Sequence, residues 1–96
     1  MTAYVVFCLT EVTDQDAIKL YRKTGGPSLA AYGGRFVAGP NVSETLEGAP
    51  LAGAVVTAFD TLDQAKTWYH SPEYQAAVPI RQGASAGIGF IVESRG

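Results

Sequence analysis

The chain is poor in the residues that disulfide-stabilised and metal-binding proteins use. Its 96 residues include one cysteine, Cys8, and one histidine, His70. A single cysteine excludes an intrachain disulfide and a cysteine-based metal cluster. One histidine with scattered carboxylates offers no plausible ligand set for zinc or calcium, and no glycine-rich segment has the spacing of a Walker or dinucleotide loop. We therefore predict no metal and no cofactor.

Charged residues are also scarce, at 17% of the chain against about 25% in ordinary globular domains. The net charge is −2, and the seven lysines and arginines are scattered from Lys19 to Arg95. This pattern argues against a nucleic-acid partner or an anionic membrane surface. The apolar stretch 3–9 is too short to span a membrane and lacks the flanks of a signal peptide. We expect a cytoplasmic protein.

Hydrophobic residues are abundant instead, at 47% of the chain, and their periodicity predicts the order β-α-β-β-α-β. Predicted strands cover residues 3–10, 35–38, 54–59 and 88–92, and residues 42–46 are a possible continuation of the second. One kinked helix is predicted over 14–32, and a second follows a Thr61 cap. A Ser71 cap begins a further turn, with 74–82 as its continuation, bent at Pro79. Gly83 and Gly87 are expected in the loop before the last strand.

This element order is typical of an α+β, ferredoxin-like domain covering residues 1–96, with a four-stranded antiparallel sheet and both helices on one face. Three of the strands are apolar on both faces. In the first strand Tyr4 and Val6 point one way, and Val5 and Phe7 point the other. A face that met water would alternate to polar residues. We therefore predict a homodimer that packs two sheets together through this face.

Two sequence blocks resemble the DUF1330 family. They are residues 32–36 (YGGRF) and 68–75 (WYHSPEYQ). Residues 81–84, the opening strand and the Glu47-Gly48 turn also fit that family's pattern, whereas Gly25-Gly26 and Pro79 depart from it. The resemblance implies a dimeric α/β barrel of the ferredoxin-like type. Its wider superfamily includes cofactor-free monooxygenases, lactone isomerases, polyketide cyclases and haem-degrading enzymes, alongside members without known activity.

Four side chains are candidates for catalysis: His70, Tyr74, Arg35 and Arg81. An arginine can hold a carboxylate or enolate oxygen through two parallel hydrogen bonds, and histidine or tyrosine can transfer a proton. The alternative for the arginines is architectural, through Glu47 or Glu73. The alternative for His70 is an exposed position at a helix end.

Four aromatic residues are candidates for ligand binding: Tyr21, Tyr32, Trp68 and Tyr69. Their rings could line a pocket for a flat, mostly apolar ligand. Ordinary core packing is the alternative, and for Trp68 it is the favoured one. Cys8 lies within a predicted strand, so we expect a buried and unreactive thiol.

The superfamily resemblance and these residues together predict a cofactor-independent enzyme of small hydrophobic oxygenated metabolites. The reaction would be a proton transfer of the isomerase, cyclase or dehydratase type. Two alternatives stay open: a non-catalytic dimer that binds a small ligand or is purely structural, and a cofactor-free monooxygenase.

Overall fold

The computed structural model describes residues 1–95 as a four-stranded sheet packed against helices. In chain order the elements are β1 (Ala3–Val12), α1 (Gln15–Ala31), β2 (Arg35–Ala38), β3 (Gly53–Phe59), α2 (Leu62–Tyr69), α3 (Pro72–Gln75), α4 (Val78–Ala84) and β4 (Ser85–Glu93). The strand order is β2-β3-β1-β4 and every pair is antiparallel. This confirms the predicted α+β, ferredoxin-like fold.

Three helices begin at the polar caps that the sequence predicts. The side chains of Asp14, Thr61 and Ser71 accept hydrogen bonds from backbone N–H groups three residues later, at 3.0, 3.1 and 3.2 Å. Each bond satisfies an N–H group that has no partner within its helix. Across residues 1–95, none of the helices combines the length and the hydropathy that a membrane span requires.

Helix α1 ends on a glycine, as predicted. Gly33 has a φ of 79°, a backbone conformation that glycine adopts without steric penalty. The Gly33 N–H donates to the Ala30 carbonyl at 3.1 Å, and the Gly34 N–H donates to the Leu29 carbonyl at 2.8 Å. These two bonds form a Schellman motif, which turns the chain from α1 into β2.

Helix α1 continues through Gly25-Gly26-Pro27 because its buried side packs closely on the later helices. Gly25 and Ser28 are buried, and a Cβ atom at Gly25 would lie only 2.9 Å from the Ala77 Cβ. The Ser28 hydroxyl donates to the Gly25 carbonyl at 2.5 Å and accepts from the Trp68 indole N–H at 2.9 Å. The glycine therefore serves close helix packing, and the predicted single helix is confirmed.

Three local predictions are wrong. Residues 42–46 form no strand, because β3, which pairs with β2, begins at Gly53. The Ala54 N–H donates to the Pro40 carbonyl at 3.0 Å, so residues after 41 would lie opposite no strand. The expected helix over 74–82 is divided into α3 and α4 at residues 76–77. Gly83 and Gly87 do not lie in a loop, since α4 passes directly into β4 at Ser85.

The two faces of the sheet differ in what covers them. Ala3, Val5 and Phe7 of β1 point toward the helices and are at most 6% exposed. On the opposite face, Ile88, Phe90 and Val92 of β4 are 64%, 41% and 47% exposed, and they pair in register with Cys8, Val6 and Tyr4. Cys8 is half-buried on this face. The uncovered face is therefore apolar, as the strand pattern predicts.

Candidate functional site

The main cavity has a volume of about 450 Å³ and lies between the sheet and helix α1. Its walls are mostly apolar, with side chains from β1, α1, β3 and the helices that follow. The polar side chains that line it are Gln15, Tyr21, Arg22, Asn41, Thr57, Tyr74 and Arg81. This combination of an apolar surface and a few polar groups is characteristic of small-molecule sites.

Two tyrosines from distant parts of the chain meet at this cavity. The hydroxyls of Tyr21 on α1 and Tyr74 on α3 are hydrogen-bonded at 2.7 Å, and their rings pack edge to face at 6.2 Å. Tyr74 is 1% exposed. Burial raises the pKa of Tyr74 strongly, the neighbouring Tyr21 hydroxyl adds to the rise, and the positive charge of Arg81 opposes it. Tyr74 is thus a neutral hydrogen-bond donor at physiological pH.

Arg81 stands beside this pair. Its Cζ atom lies 4.7 Å from the centroid of the Phe7 ring and 5.8 Å from that of Tyr21, within the range of cation–π attraction. Phe7 can occupy this position because β4 has a glycine opposite it: a Cβ at Gly89 would lie 2.6 Å from the Phe7 ring. The Arg81 Nε atom is buried, and no group within residues 1–95 accepts its hydrogen bond.

Trp68 forms part of the cavity wall and of the core at once. It is 3% exposed, and its ring centroid lies 4.1 Å from that of Tyr74 and 5.3 Å from that of Phe59. Its indole N–H is already satisfied by Ser28. The ring therefore holds Tyr74 in place and offers the cavity an apolar surface rather than a hydrogen-bond donor.

A second cavity, of about 580 Å³, lies between α2, α4 and β4. Tyr69 and His70 line it, and their rings pack edge to face at 5.2 Å. His70 is exposed and caps the C-terminal end of α2. Phe7 and Arg81 line both cavities, so the guanidinium of Arg81 lies at the wall that the two spaces share.

The family model described as a domain of unknown function, DUF1330, matches residues 2–94. The chain belongs to the DUF1330 family. Among curated proteins, none matches the chain.

Solved structures share the fold of this DUF1330 protein at low identity. A protein of unknown function from Rhodopseudomonas palustris has 16% identity and a TM-score of 0.78, over 96% of this chain and 82% of that chain. SnoaB, a cofactor-independent oxygenase from Streptomyces nogalater, has 11% identity and a TM-score of 0.63, over 99% of this chain and 93% of that chain. A dimeric ferredoxin-like protein of unknown function from Thermobifida fusca has 16% identity and a TM-score of 0.59, over 95% of this chain and 90% of that chain.

Two of the residues in the DUF1330 blocks lie away from both cavities. Arg35 is exposed on β2 and forms an ion pair with Asp60 at 3.4 Å, rather than with either of the glutamates that the sequence suggests. The Tyr32 hydroxyl donates to the Glu73 carboxylate, and this hydrogen bond raises the pKa of Tyr32. Neither side chain lines either of the two cavities.

The structure thus divides the eight candidate residues into three groups. Tyr21, Trp68, Tyr74 and Arg81 meet at the main cavity of the DUF1330 domain, Tyr69 and His70 lie at the second, and Tyr32 and Arg35 lie at neither. Sequence reasoning missed Gln15 and Arg22 in the main cavity. They share a helix face with Ile18 and Gly25, at spacings of three and four residues, so the helical period around Tyr21 could have found them.

Within residues 1–95, no three histidine, cysteine or carboxylate side chains are grouped as a metal site would require. The carboxylates of Asp60 and Glu73, which contact Arg35 and Tyr32, line neither cavity. The chemistry that the main cavity offers is therefore hydrogen-bond donation and positive charge, supplied by Tyr74, Tyr21 and Arg81.

Proposed function

We propose that this protein is a cofactor-independent enzyme that binds a small, flat, oxygenated hydrophobic molecule in the main cavity and catalyses a proton transfer. The observation that carries the proposal is the Tyr21–Tyr74–Arg81 cluster at the wall of an apolar cavity. A neutral tyrosine and a guanidinium together stabilise the negative charge that develops on a carbonyl oxygen when a neighbouring C–H bond loses its proton.

The cavity is large enough for such a ligand. Its volume of about 450 Å³ exceeds the lower limit of about 300 Å³ for ligand sites, which favours a ligand over a purely structural role.

The main cavity is lined by no carboxylate and no histidine among the described residues. The proton that leaves carbon must then pass to water or to a basic atom of the substrate itself. This arrangement suits substrates whose C–H or O–H groups are already acidic, such as enols, phenols and 1,3-dicarbonyl compounds. Isomerisation, cyclisation and dehydration of such molecules all proceed through an enolate, whose oxygen the cluster would hold.

Deuterium exchange tests this proposal without knowledge of the natural substrate. A flat ketone such as 2-tetralone is incubated in D₂O with the protein, and loss of the NMR signal beside its carbonyl is followed. We expect the protein to accelerate exchange and the Tyr74→Phe and Arg81→Gln variants to lose about a hundredfold to a thousandfold of that rate, in line with the loss of one oxyanion donor. Tyr32→Phe, which lines neither cavity, is the matched control.

Arg35→Gln and His70→Gln complete the same series. Because neither residue lines the main cavity, the proposal expects smaller effects from both. If all four candidate substitutions left the exchange rate unchanged, or if no ketone or enol of a broad panel exchanged faster with the protein than without it, the enzymatic assignment would be wrong.

A cofactor-free monooxygenase is the second candidate function. It is supported by the shared fold with SnoaB and by a cavity that would stabilise an electron-rich anionic substrate without supplying a base. Oxygen uptake with candidate quinols distinguishes it from proton transfer, since only the monooxygenase consumes oxygen. A ligand that co-purifies and is returned unchanged after long incubation would instead indicate a binding protein without turnover.

We further propose that the protein works as a homodimer joined through the uncovered sheet face. The apolar exposure of Ile88, Phe90 and Val92 supports this, as does the dimeric state of the Thermobifida fusca relative. Burying a few hundred Å² per protomer, at about 25 cal/mol per Å², stabilises the dimer by several kcal/mol before the losses on association.

Sedimentation equilibrium at micromolar concentration tests the dimer. Phe90→Asp should shift the protein toward monomers, whereas Leu46→Asp should not, although Leu46 is 85% exposed and equally apolar. A monomeric wild-type protein would contradict the proposal. The cytoplasmic location and the lack of a nucleic-acid or membrane partner stay predictions.

A further inference from the structure

The second cavity is lined by a group of basic side chains, of which the proposed reaction uses Arg81 alone. Lys66, His70 and Arg81 line it, and no aspartate or glutamate is among its lining residues in the part of the chain that the structure describes. The protein as a whole has a net charge of −2. The basic side chains therefore give this cavity a positive charge, although the chain as a whole is negative.

Within residues 1–95, none of these basic side chains forms an ion pair with a carboxylate. The ion pair found there is that of Arg35 on β2 with Asp60, which follows β3. A lysine and an arginine that face the same space without a carboxylate partner raise the local concentration of anions and favour binding of one.

Most of the remaining lining of the cavity is apolar, with Gln82 and Ser85 as the polar exceptions. Tyr69 and Ile91 supply flat and branched hydrophobic surfaces beside the basic groups. The Phe7 ring, which lies over Gly89 on the strand below, adds a second flat apolar surface. The volume of about 580 Å³ accommodates a ring together with its charged substituent.

We propose that the second cavity is a binding site for a small organic carboxylate with a flat apolar body. Lys66, His70 and Arg81 hold the carboxylate, and the body lies against Tyr69 and Ile91. The site shares Arg81 with the proposed reaction, whereas Lys66 and His70 do not line the main cavity. Arg81 lines both cavities, so a ligand in the second cavity would affect the main cavity through Arg81.

Amide NMR can locate the bound molecule without ambiguity, because glycines line both cavities. Gly87 and Gly89 report on the second cavity, and Gly25, Gly26 and Gly53 report on the main one. In a titration with sodium benzoate at low salt, we expect saturable shifts of the Gly87 and Gly89 signals. Benzyl alcohol, which has the same ring without the charge, should bind at least tenfold more weakly.

A lysine variant tests the charge itself. Lys66→Met should weaken benzoate binding about twofold to fivefold, the upper part of the range expected for an exposed ion pair, and Lys66→Glu should weaken it further. Lys23→Met on α1 is the matched control, since Lys23 is exposed and lines neither cavity. Because Lys66 is outside the main cavity, deuterium exchange into 2-tetralone by Lys66→Met reports on the proposed function independently.

Three results would overturn the proposal. Benzoate could perturb only the glycines of the main cavity, benzyl alcohol could bind as tightly as benzoate, or both lysine variants could bind benzoate as the wild type does. Inorganic phosphate that competed with benzoate at equal concentration would show a general anion site rather than one for organic carboxylates, and would also contradict it.

Discussion

The two glycines Gly25 and Gly83 should respond in opposite directions to the same substitution. Both lie inside helices, where alanine is favoured over glycine by about 1 kcal/mol. A Cβ at Gly25 would lie 2.9 Å from the Ala77 Cβ and 3.4 Å from the Tyr74 ring, whereas a Cβ at Gly83 meets nothing within 4 Å. The surroundings, and not the intrinsic helix preference, therefore decide the sign.

The magnitude follows from the atoms that must move. The Ala77 Cβ is fixed to the backbone that caps α4, so relief of the contact requires α1 and α4 to separate. Overpacking of this kind costs about 1 to 3 kcal/mol, which offsets the helix preference and leaves Gly25→Ala destabilised by up to about 2 kcal/mol. Gly83→Ala should stabilise by about 0.5 to 1 kcal/mol.

Urea unfolding followed by circular dichroism, at one protomer concentration for all variants, measures both changes. In a thermal melt the shifts correspond to about 4–8 °C for each kcal/mol in a domain of this size. Equal stabilisation by the two substitutions would refute the claim that α1 and α4 meet at Gly25. The Gly25→Ala variant should also bind ligand more weakly in the main cavity, because the added methyl group presses on Tyr74.

Three further substitutions test single contacts. Burial raises the pKa of Tyr74 above the value of about 10 for an unfolded tyrosine. The contribution of Tyr74 to stability is therefore complete below pH 10 and is lost above it, by at most about 1.4 kcal/mol per pH unit. In urea unfolding between pH 9 and 11, the stability of Tyr74→Phe should depend less on pH than that of the wild type, and an identical pH dependence would contradict this. Trp68→Phe removes the donor to Ser28 and should cost about 1 to 3 kcal/mol, with a double-mutant cycle against Ser28→Ala showing coupling; additive effects would show that the bond contributes nothing. Thr61→Ala removes the cap of α2 and should cost about 1 kcal/mol, whereas Thr67→Ala, exposed within the same helix, should cost nothing.

Local chemistry made much of the fold predictable. Capping side chains, a terminal glycine and strands of β-branched residues act through their immediate neighbours, so Asp14, Thr61, Ser71 and Gly33 marked helix boundaries correctly. The apolar pattern of the strands likewise predicted an uncovered hydrophobic face.

The errors arose where structure depends on distant partners. Residues 42–46 include β-branched residues, as strands do, but β3, the strand that pairs with β2, begins at Gly53 and so offers them no partner. Gly83 and Gly87 resemble loop residues, yet Gly83 lies in α4 and Gly87 lies in β4, where the Cys8 backbone on the neighbouring strand leaves no room for a side chain.

The candidate site was likewise predictable only where local sequence determines it. Tyr21, Tyr74 and Arg81 could each be nominated from residue type, but their meeting depends on how α1, α3 and α4 pack. That Tyr74 sits 1% exposed against the Tyr21 hydroxyl is a property of the assembled core. No spacing in the sequence encodes it.

The two candidate arginines illustrate why residue type alone cannot rank a site. Arg35 pairs with Asp60 in solvent, with 54% and 77% of the two side chains exposed, and such a pair contributes at most about 1 kcal/mol. Arg81 instead lies over the Phe7 ring at the wall that the two cavities share. Two residues of the same type are thus distinguished by their surroundings, since Arg35 meets a carboxylate in solvent and Arg81 lines two cavities whose walls hold no carboxylate among residues 1–95.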